Sequence, residues 1–143
     1  MIEMGRLFFS VFLLLAAVSD LRWKQIPIWQ FVLFGICGLC VFCGEKPEIH
    51  VFFRLLPGIC SLLITLFGKG AVGAGDGFFF LTAACYLDTE EIWILWIGGL
   101  ICSSLAGLCL IVKEQRRGRS GRTLRLPFLP FLVPVWLFLN LPF

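Results

Sequence analysis

Residues Ile92–Val112 form an uncharged apolar run, IWILWIGGLICSSLAGLCLIV. A run of this length is sufficient for one helix to cross the hydrocarbon core of a bilayer. The rest of the chain has the same character, since 59% of its 143 residues are hydrophobic, 15% are charged and the mean hydropathy is +0.97. Soluble chains contain about 45–50% apolar and about 25% charged residues. The composition therefore excludes an ordinary soluble domain and indicates a protein that faces lipid.

Five further apolar runs accompany this one, so the sequence predicts an all-α polytopic membrane protein with about six transmembrane helices in one bundle. The predicted spans are Leu7–Ser19, Pro27–Cys43, Val51–Phe67, Ala71–Leu87, Ile92–Val112 and Leu126–Phe143. Six spans use roughly 120 positions and leave only short loops. Residues 1–143 are therefore interpreted as a single transmembrane domain.

Two alternatives to this plan stay open. The fourth run is rich in glycine and contains an aspartate, so a five-span arrangement that omits it is compatible with the sequence. The first run ends in Ala17-Val18-Ser19, which is similar to a signal-peptide cleavage site. Its leader contains only Arg6 as a basic residue, offset by Glu3, and the next span follows closely. Both features favour retention of the first helix.

The basic residues predict the orientation, because cytoplasmic loops contain an excess of lysine and arginine. Three residues lie on one side, Arg6, Lys46 and Arg54. The loops after spans one, three and five contain Arg22, Lys24, Lys69, Lys113, Arg116, Arg117, Arg119, Arg122 and Arg125. We therefore expect both termini to lie outside and loops one, three and five to lie in the cytoplasm. The membrane itself is expected to be the cytoplasmic (inner) membrane. The short basic fifth loop suits anionic lipid headgroups, and no nucleic acid is expected as a partner.

Two aspartates are expected at membrane depth, where an ionisable group costs about 2.5–3.5 kcal/mol and marks a candidate functional site. Asp20 closes the first span and Asp76 opens the apolar part of the fourth, so both are predicted at the cytoplasmic end of the bundle. Asp88, next to Glu90 and Glu91, is interpreted as a solvated loop residue. Asp20 and Asp76 are therefore the candidate carboxylate pair.

The segment around Asp76, residues 68–77, contains five glycines, at positions 68, 70, 73, 75 and 77. Glycine permits close approach of helices and positive φ angles. The order of residues does not match a phosphate-binding loop. The segment is therefore interpreted as an element for close helix packing, which would also let the peptide backbone of a substrate approach the carboxylate.

At these residues the chain resembles the type IV prepilin peptidases, which are membrane aspartic proteases. Asp20, Ile26 and Pro27 match the family's Asp-x5-Ile-Pro pattern, and Gly73, Gly75 and Asp76 match its GxGD signature. A less specific feature is the Pro-Phe-x-Pro-Phe-Leu stretch at the start of the last predicted helix. This stretch contains Pro127, Phe128, Pro130, Phe131 and Leu132.

The resemblance implies a GxGD-type intramembrane aspartic endopeptidase without metal or cofactor. Asp20 and Asp76 would share one proton and activate a water that attacks the scissile carbonyl at the cytoplasmic face. The substrate would be a prepilin-like protein with a basic leader and an apolar helix. Larger family members also methylate the new N-terminus, using an insertion with paired CxxC motifs that this chain lacks. The cysteine stripe Cys37, Cys40 and Cys43 is interpreted as helix packing.

The sequence also departs from the family pattern. Ile28 stands where an asparagine usually follows the Ile-Pro pair, and Phe78-Phe79 replaces the usual Lys-Leu. The interpretation of the chain as a catalytically inactive assembly partner therefore stays open. So does a small transporter or ion-conducting subunit in which the two aspartates bind a proton or cation. The pilin substrate, the role of each aspartate and the oligomeric state are not specified by the sequence.

Overall fold

The structure, a computed structural model, describes residues 2–23, 26–42, 50–67, 73–116 and 128–140. Within these ranges the chain is helical and contains no strand. Six α-helices correspond to the six predicted apolar runs, and a 3₁₀ turn, Leu129–Phe131, leads directly into the last of them. The helices are α1 (Ile2–Trp23), α2 (Ile28–Phe42), α3 (His50–Phe67), α4 (Ala74–Ala83), α5 (Thr89–Arg116) and α6 (Leu132–Leu139).

Two of these helices are long and apolar enough to cross a membrane, as judged by length and composition. They contain the segments Met4–Trp23 and Thr89–Lys113. Helix α4 is shorter than the predicted Ala71–Leu87 run, because it begins after Gly73 and gives way to turns after Ala83. The other apolar helices are also shorter than these two, so the full six-span topology stays a prediction.

An aromatic cluster forms the centre of the helical packing. Phe9 and Phe12 of α1 and Phe79 and Phe80 of α4 are fully buried. The rings of Phe12 and Phe79 stack with centroids 5.0 Å apart, and Phe9 meets Trp136 of α6 edge-on at 4.7 Å. Among lipid tails that are themselves apolar, such close packing replaces the hydrophobic effect as the force that holds helices together. The cluster thus fixes α1, α4 and α6 to one another.

Helices α3 and α4 pack through a reciprocal pair of glycines. Leu62 of α3 lies on Gly77 of α4, so a Cβ atom at Gly77 would be 2.6 Å from the Leu62 side chain. Leu81 of α4 lies on Gly58 of α3, where a Cβ atom would be 2.8 Å away. Small residues allow backbones to approach in this way. The glycine-rich segment is therefore a close-packing element on its Gly77 side.

Two ion pairs define one end of the bundle. Arg6, early in α1, pairs with Glu91 in the first turn of α5. Arg54, early in α3, pairs with Asp88 immediately before α5, with Nη2 2.7 Å from Oδ1. Helices α1, α3 and α5 therefore begin at the same end, and they finish at the opposite end, where α2, α4 and α6 begin.

Candidate active site

Asp20 lies in the last turn of α1, at the end of the bundle opposite the ion pairs. Its side chain is half-buried, and Oδ2 accepts a hydrogen bond from the backbone N–H of Leu129 at 3.2 Å. The backbone N–H of Phe128 also hydrogen-bonds this carboxylate. The first turn of the C-terminal helical segment therefore holds the Asp20 carboxylate from outside α1.

Asp76 lies in the first turn of α4, at the third helical position after the N-cap residue Gly73. Gly73 is extended, with φ −72° and ψ 137°, and its backbone N–H hydrogen-bonds the Asp76 carboxylate. An acidic side chain that reaches back to the N-cap N–H is one half of a capping box. Negative charge at this point also suits the helix dipole. The GxGD signature thus builds a helix start that orients its own aspartate.

The two carboxylates lie close enough to act on each other electrostatically. One comes from the C-terminal end of α1 and the other from the N-terminal end of α4, so the fold brings together two residues far apart in sequence. Two neighbouring carboxylates at low dielectric ionise together only at high cost, so a pair of this kind can share one proton. Such a pair can accept a proton from one group and donate a proton to another.

The other described motif residues lie in the segments next to the helix ends that contain this pair. Ile26, in the connection between α1 and α2, packs over Gly75, where a Cβ atom would lie 3.5 Å from Ile26 Cδ1. Pro27 immediately precedes α2, and its carbonyl accepts the N–H of Gln30 at 3.0 Å. Pro130 occupies the 3₁₀ turn, where its missing N–H is not needed. Pro127 lies outside the described residues.

Two contacts at the site involve residues that the sequence patterns do not single out. The first is the donation from the backbone of Leu129, which no side-chain motif specifies. The second links α2 to α1: Gln30 Nε2 donates to Ser19 Oγ at 3.0 Å. The available signal was that Gln30 is the one amide side chain in the apolar sequence of α2.

The departures from the family pattern fall on different surfaces. Ile28 begins α2 and is 79% exposed. Phe78 is 50% exposed, and its ring lies 6.1 Å from that of Phe31. Phe79 belongs to the buried aromatic cluster. Two of the three substitutions therefore present an apolar side chain at the surface, and the third contributes to packing.

The described residues contain no group of three or more His, Cys, Asp or Glu side chains arranged to hold a metal ion. Cys37 is half-buried and packs against the core, and Cys40 is exposed. Cys43, the third member of the predicted stripe, lies outside the described residues.

The sequence profile of the type IV leader peptidase family matches residues 7–112, more than half of the chain. The matched region contains both Asp20 and Asp76. It ends before the turn that supplies the Leu129 N–H. Neither the curated proteins nor the solved structures that were compared with the chain gave a significant match.

Proposed function

Because this chain belongs to the type IV leader peptidase family, we propose that it is an intramembrane aspartic endopeptidase that removes the basic leader from prepilin-like proteins. Membership of the family indicates a protease and a membrane protein. The proposal adds the reaction centre, Asp20 and Asp76, and its location at the cytoplasmic face of the inner membrane.

One observation supports the reaction centre above all others. In the described helices, aspartate occurs only at Asp20 of α1 and Asp76 of α4, and the two carboxylates act on each other electrostatically at one end of the bundle. Each carboxylate is also oriented by backbone N–H groups, from Leu129 and Phe128 for Asp20 and from Gly73 for Asp76. A pair held in this way is preorganised for general acid–base chemistry.

The proposed reaction uses the pair as a unit. The ionised carboxylate takes a proton from a water molecule, whose oxygen then bonds to the scissile carbonyl carbon. The protonated carboxyl group donates a hydrogen bond to the carbonyl oxygen as negative charge develops there. Collapse of the tetrahedral intermediate breaks the C–N bond, and a carboxyl proton passes to the leaving amine. The pair is then ready for another water molecule.

The proposed substrate agrees with the depth of the site. A prepilin-type protein has its leader outside the bilayer and its apolar helix within it, so the bond to be cut lies near the membrane surface. Asp20 and Asp76 lie at the end of the bundle where α1 finishes and α4 begins. The excess of lysine and arginine in loops one, three and five supports the cytoplasmic side for this end.

Co-expression with a prepilin tests the proposal. We expect a shift of the pilin to higher mobility in gel electrophoresis, and N-terminal sequencing should place the new terminus between the leader and the apolar helix. An unprocessed pilin, together with an ion flux through vesicles that depends on Asp20 and Asp76, would overturn the protease in favour of a conducting protein.

A further inference from the structure

A buried amide makes a hydrogen bond to the residue that precedes Asp20. Gln30, in the first turn of α2, is 3% exposed, and its Nε2 donates a hydrogen bond to Ser19 Oγ at 3.0 Å. Ser19 is also 3% exposed and immediately precedes Asp20 in α1. A hydrogen bond between two helices thus ends one residue away from a proposed catalytic carboxylate.

Burial of the Gln30 side chain has a cost in folding free energy. Its carbonyl oxygen Oε1 is buried and accepts no hydrogen bond from the described residues. A buried acceptor without a partner opposes folding, and an apolar side chain of similar shape avoids that cost. Stability alone therefore gives little reason for a glutamine here.

The geometry gives a different reason. Successive side chains of a helix point about 100° apart around its axis. Ser19 is held by α2, and Asp20 is held by the Leu129 backbone, so two neighbouring residues of α1 are fixed from two directions by separate elements. Loss of either bond removes one of these two constraints on the direction of the Asp20 side chain.

We infer that Gln30 is a positioning residue, which sets the direction of the Asp20 carboxylate through its hydrogen bond to Ser19. This inference rests on the proposed function for its kinetic consequence. The predicted geometric effect on Asp20 is independent of that function. Since a displacement of about 1 Å at a reacting group can reduce a rate by as much as about 100-fold, the loss of this bond is expected to lower kcat rather than substrate binding.

The kinetic test measures Gln30→Leu, Ser19→Ala and the double variant that combines these two substitutions. Ser19→Thr, which keeps the hydroxyl group, is the control. We expect kcat for prepilin cleavage to fall at least about tenfold in the first two variants while KM changes by less than about twofold. The double variant should be no slower than either single variant, because both substitutions remove the same bond. Ser19→Thr should retain most of the activity. A wild-type kcat in Gln30→Leu, or effects that multiply in the double variant, would overturn the inference.

Ser10→Ala is the matched control. Ser10 also belongs to α1 and accepts a hydrogen bond from another helix, from Trp136 Nε1 at 2.9 Å. It lies about 15 Å along the helix axis from Asp20. Its removal is expected to leave kcat unchanged. A loss of kcat equal to that of Ser19→Ala would show that removal of any hydrogen bond between α1 and another helix lowers kcat, and would contradict the inference.

A spectroscopic test separates this inference from the proposed function. The chain contains three aspartates, so labelling the aspartate side-chain carboxyl groups with ¹³C gives three NMR signals, which Asp→Asn variants assign. Gln30→Leu and Ser19→Ala should move the Asp20 signal and leave that of Asp88 in place. An unmoved Asp20 signal would overturn the inference even in an active enzyme. A moved signal in a protein that cleaves no prepilin would leave the positioning role intact and remove the protease.

Discussion

The Ile26 side chain packs directly over Gly75: a Cβ atom added to Gly75 would lie 3.5 Å from Ile26 Cδ1. Ile26 belongs to the Asp-x5-Ile-Pro pattern and Gly75 to the GxGD signature, so the two motifs are in contact in the fold. A distance of 3.5 Å is ordinary van der Waals contact, whereas the Cβ position at Gly77 is only 2.6 Å from Leu62. A methyl group therefore fits at position 75 but meets the Leu62 side chain at position 77.

Gly75→Ala and Gly77→Ala form a matched pair that tests this difference. We expect Gly75→Ala to retain the stability of the natural protein, because the new methyl group meets Ile26 at a normal distance. Gly77→Ala should lower the free energy of unfolding by about 1–3 kcal/mol, as overpacking does in a close-packed interior. Thermal unfolding in detergent measures both. Equal losses in the two variants would contradict the packing of Leu62 on Gly77.

Asp20→Asn and Asp76→Asn should each abolish prepilin cleavage, because an amide can neither share a proton nor take one from water. We expect a decrease of at least about 10²–10⁴-fold, the usual contribution of general acid–base catalysis. The control is Asp88→Asn, since Asp88 is exposed and pairs with Arg54 at the far end of the bundle. Quantitative gel analysis of the processed pilin is the measurement. Cleavage retained by either of the first two variants would eliminate the pair as the reaction centre.

The Arg6–Glu91 ion pair gives a test of helix direction. Arg6→Glu and Glu91→Arg should each destabilise the protein, and the double variant should regain most of the loss, because it restores opposite charges at the same place. The partners are partly exposed, so the recovered interaction is expected to be about 1 kcal/mol or less. Thermal unfolding of all four proteins measures the coupling. Losses that simply add would indicate that α1 and α5 do not begin at the same end.

Trp136 is expected to contribute more through packing than through its hydrogen bond. It is 4% exposed and packs against Phe9 at the centre of the bundle. Ser10→Ala, which removes the acceptor of its N–H, should cost about 0.6 kcal/mol, a typical value for hydrogen bonds between membrane helices. Trp136→Ala should cost about 3–5 kcal/mol, because it also leaves a cavity. Chemical unfolding in mixed micelles compares the two, and equal costs would contradict the expectation.

The predicted orientation is open to a reporter test. Alkaline phosphatase, which folds only outside the cytoplasm, should be active when fused after Asp88 and inactive when fused after Arg125. The prediction follows from the six basic residues in the fifth loop, which favour retention in the cytoplasm. The opposite pattern of activity would place Asp20 and Asp76 on the external side.

The helical content could be predicted from the sequence, and the two aspartates could be chosen as candidates, because both depend on the chemistry of single residues. Apolar runs form helices in lipid whatever their neighbours, and a carboxylate at membrane depth is conspicuous in any apolar run. The short extent of α4 was less predictable, since its ends depend on Gly73 as an N-cap and on turns after Ala83 rather than on hydropathy.

The supporting contacts could not be predicted in the same way. The Leu129 donor is a backbone N–H, which every residue other than proline possesses, so only the fold selects it. Gln30 was visible as a polar residue in an apolar run, but its partner, Ser19, belongs to another helix. Tryptophan is a residue type typical of the membrane interface. Trp136 nevertheless lies in the core, where it contacts the Phe9 ring and donates a hydrogen bond to Ser10.

The hydrogen bond between Leu129 and Asp20 joins residues 109 positions apart. During biosynthesis, this bond can form only after Leu129 has been added to the chain. A ribosome that adds about 5–20 residues per second needs on the order of 5–20 s to cover that interval. During this time α1 is already made, and the Asp20 carboxylate has no partner at that position. The segment that begins at Phe128 therefore completes the environment of a residue in α1, and the nascent chain grows by 109 residues after Asp20 before this contact can form.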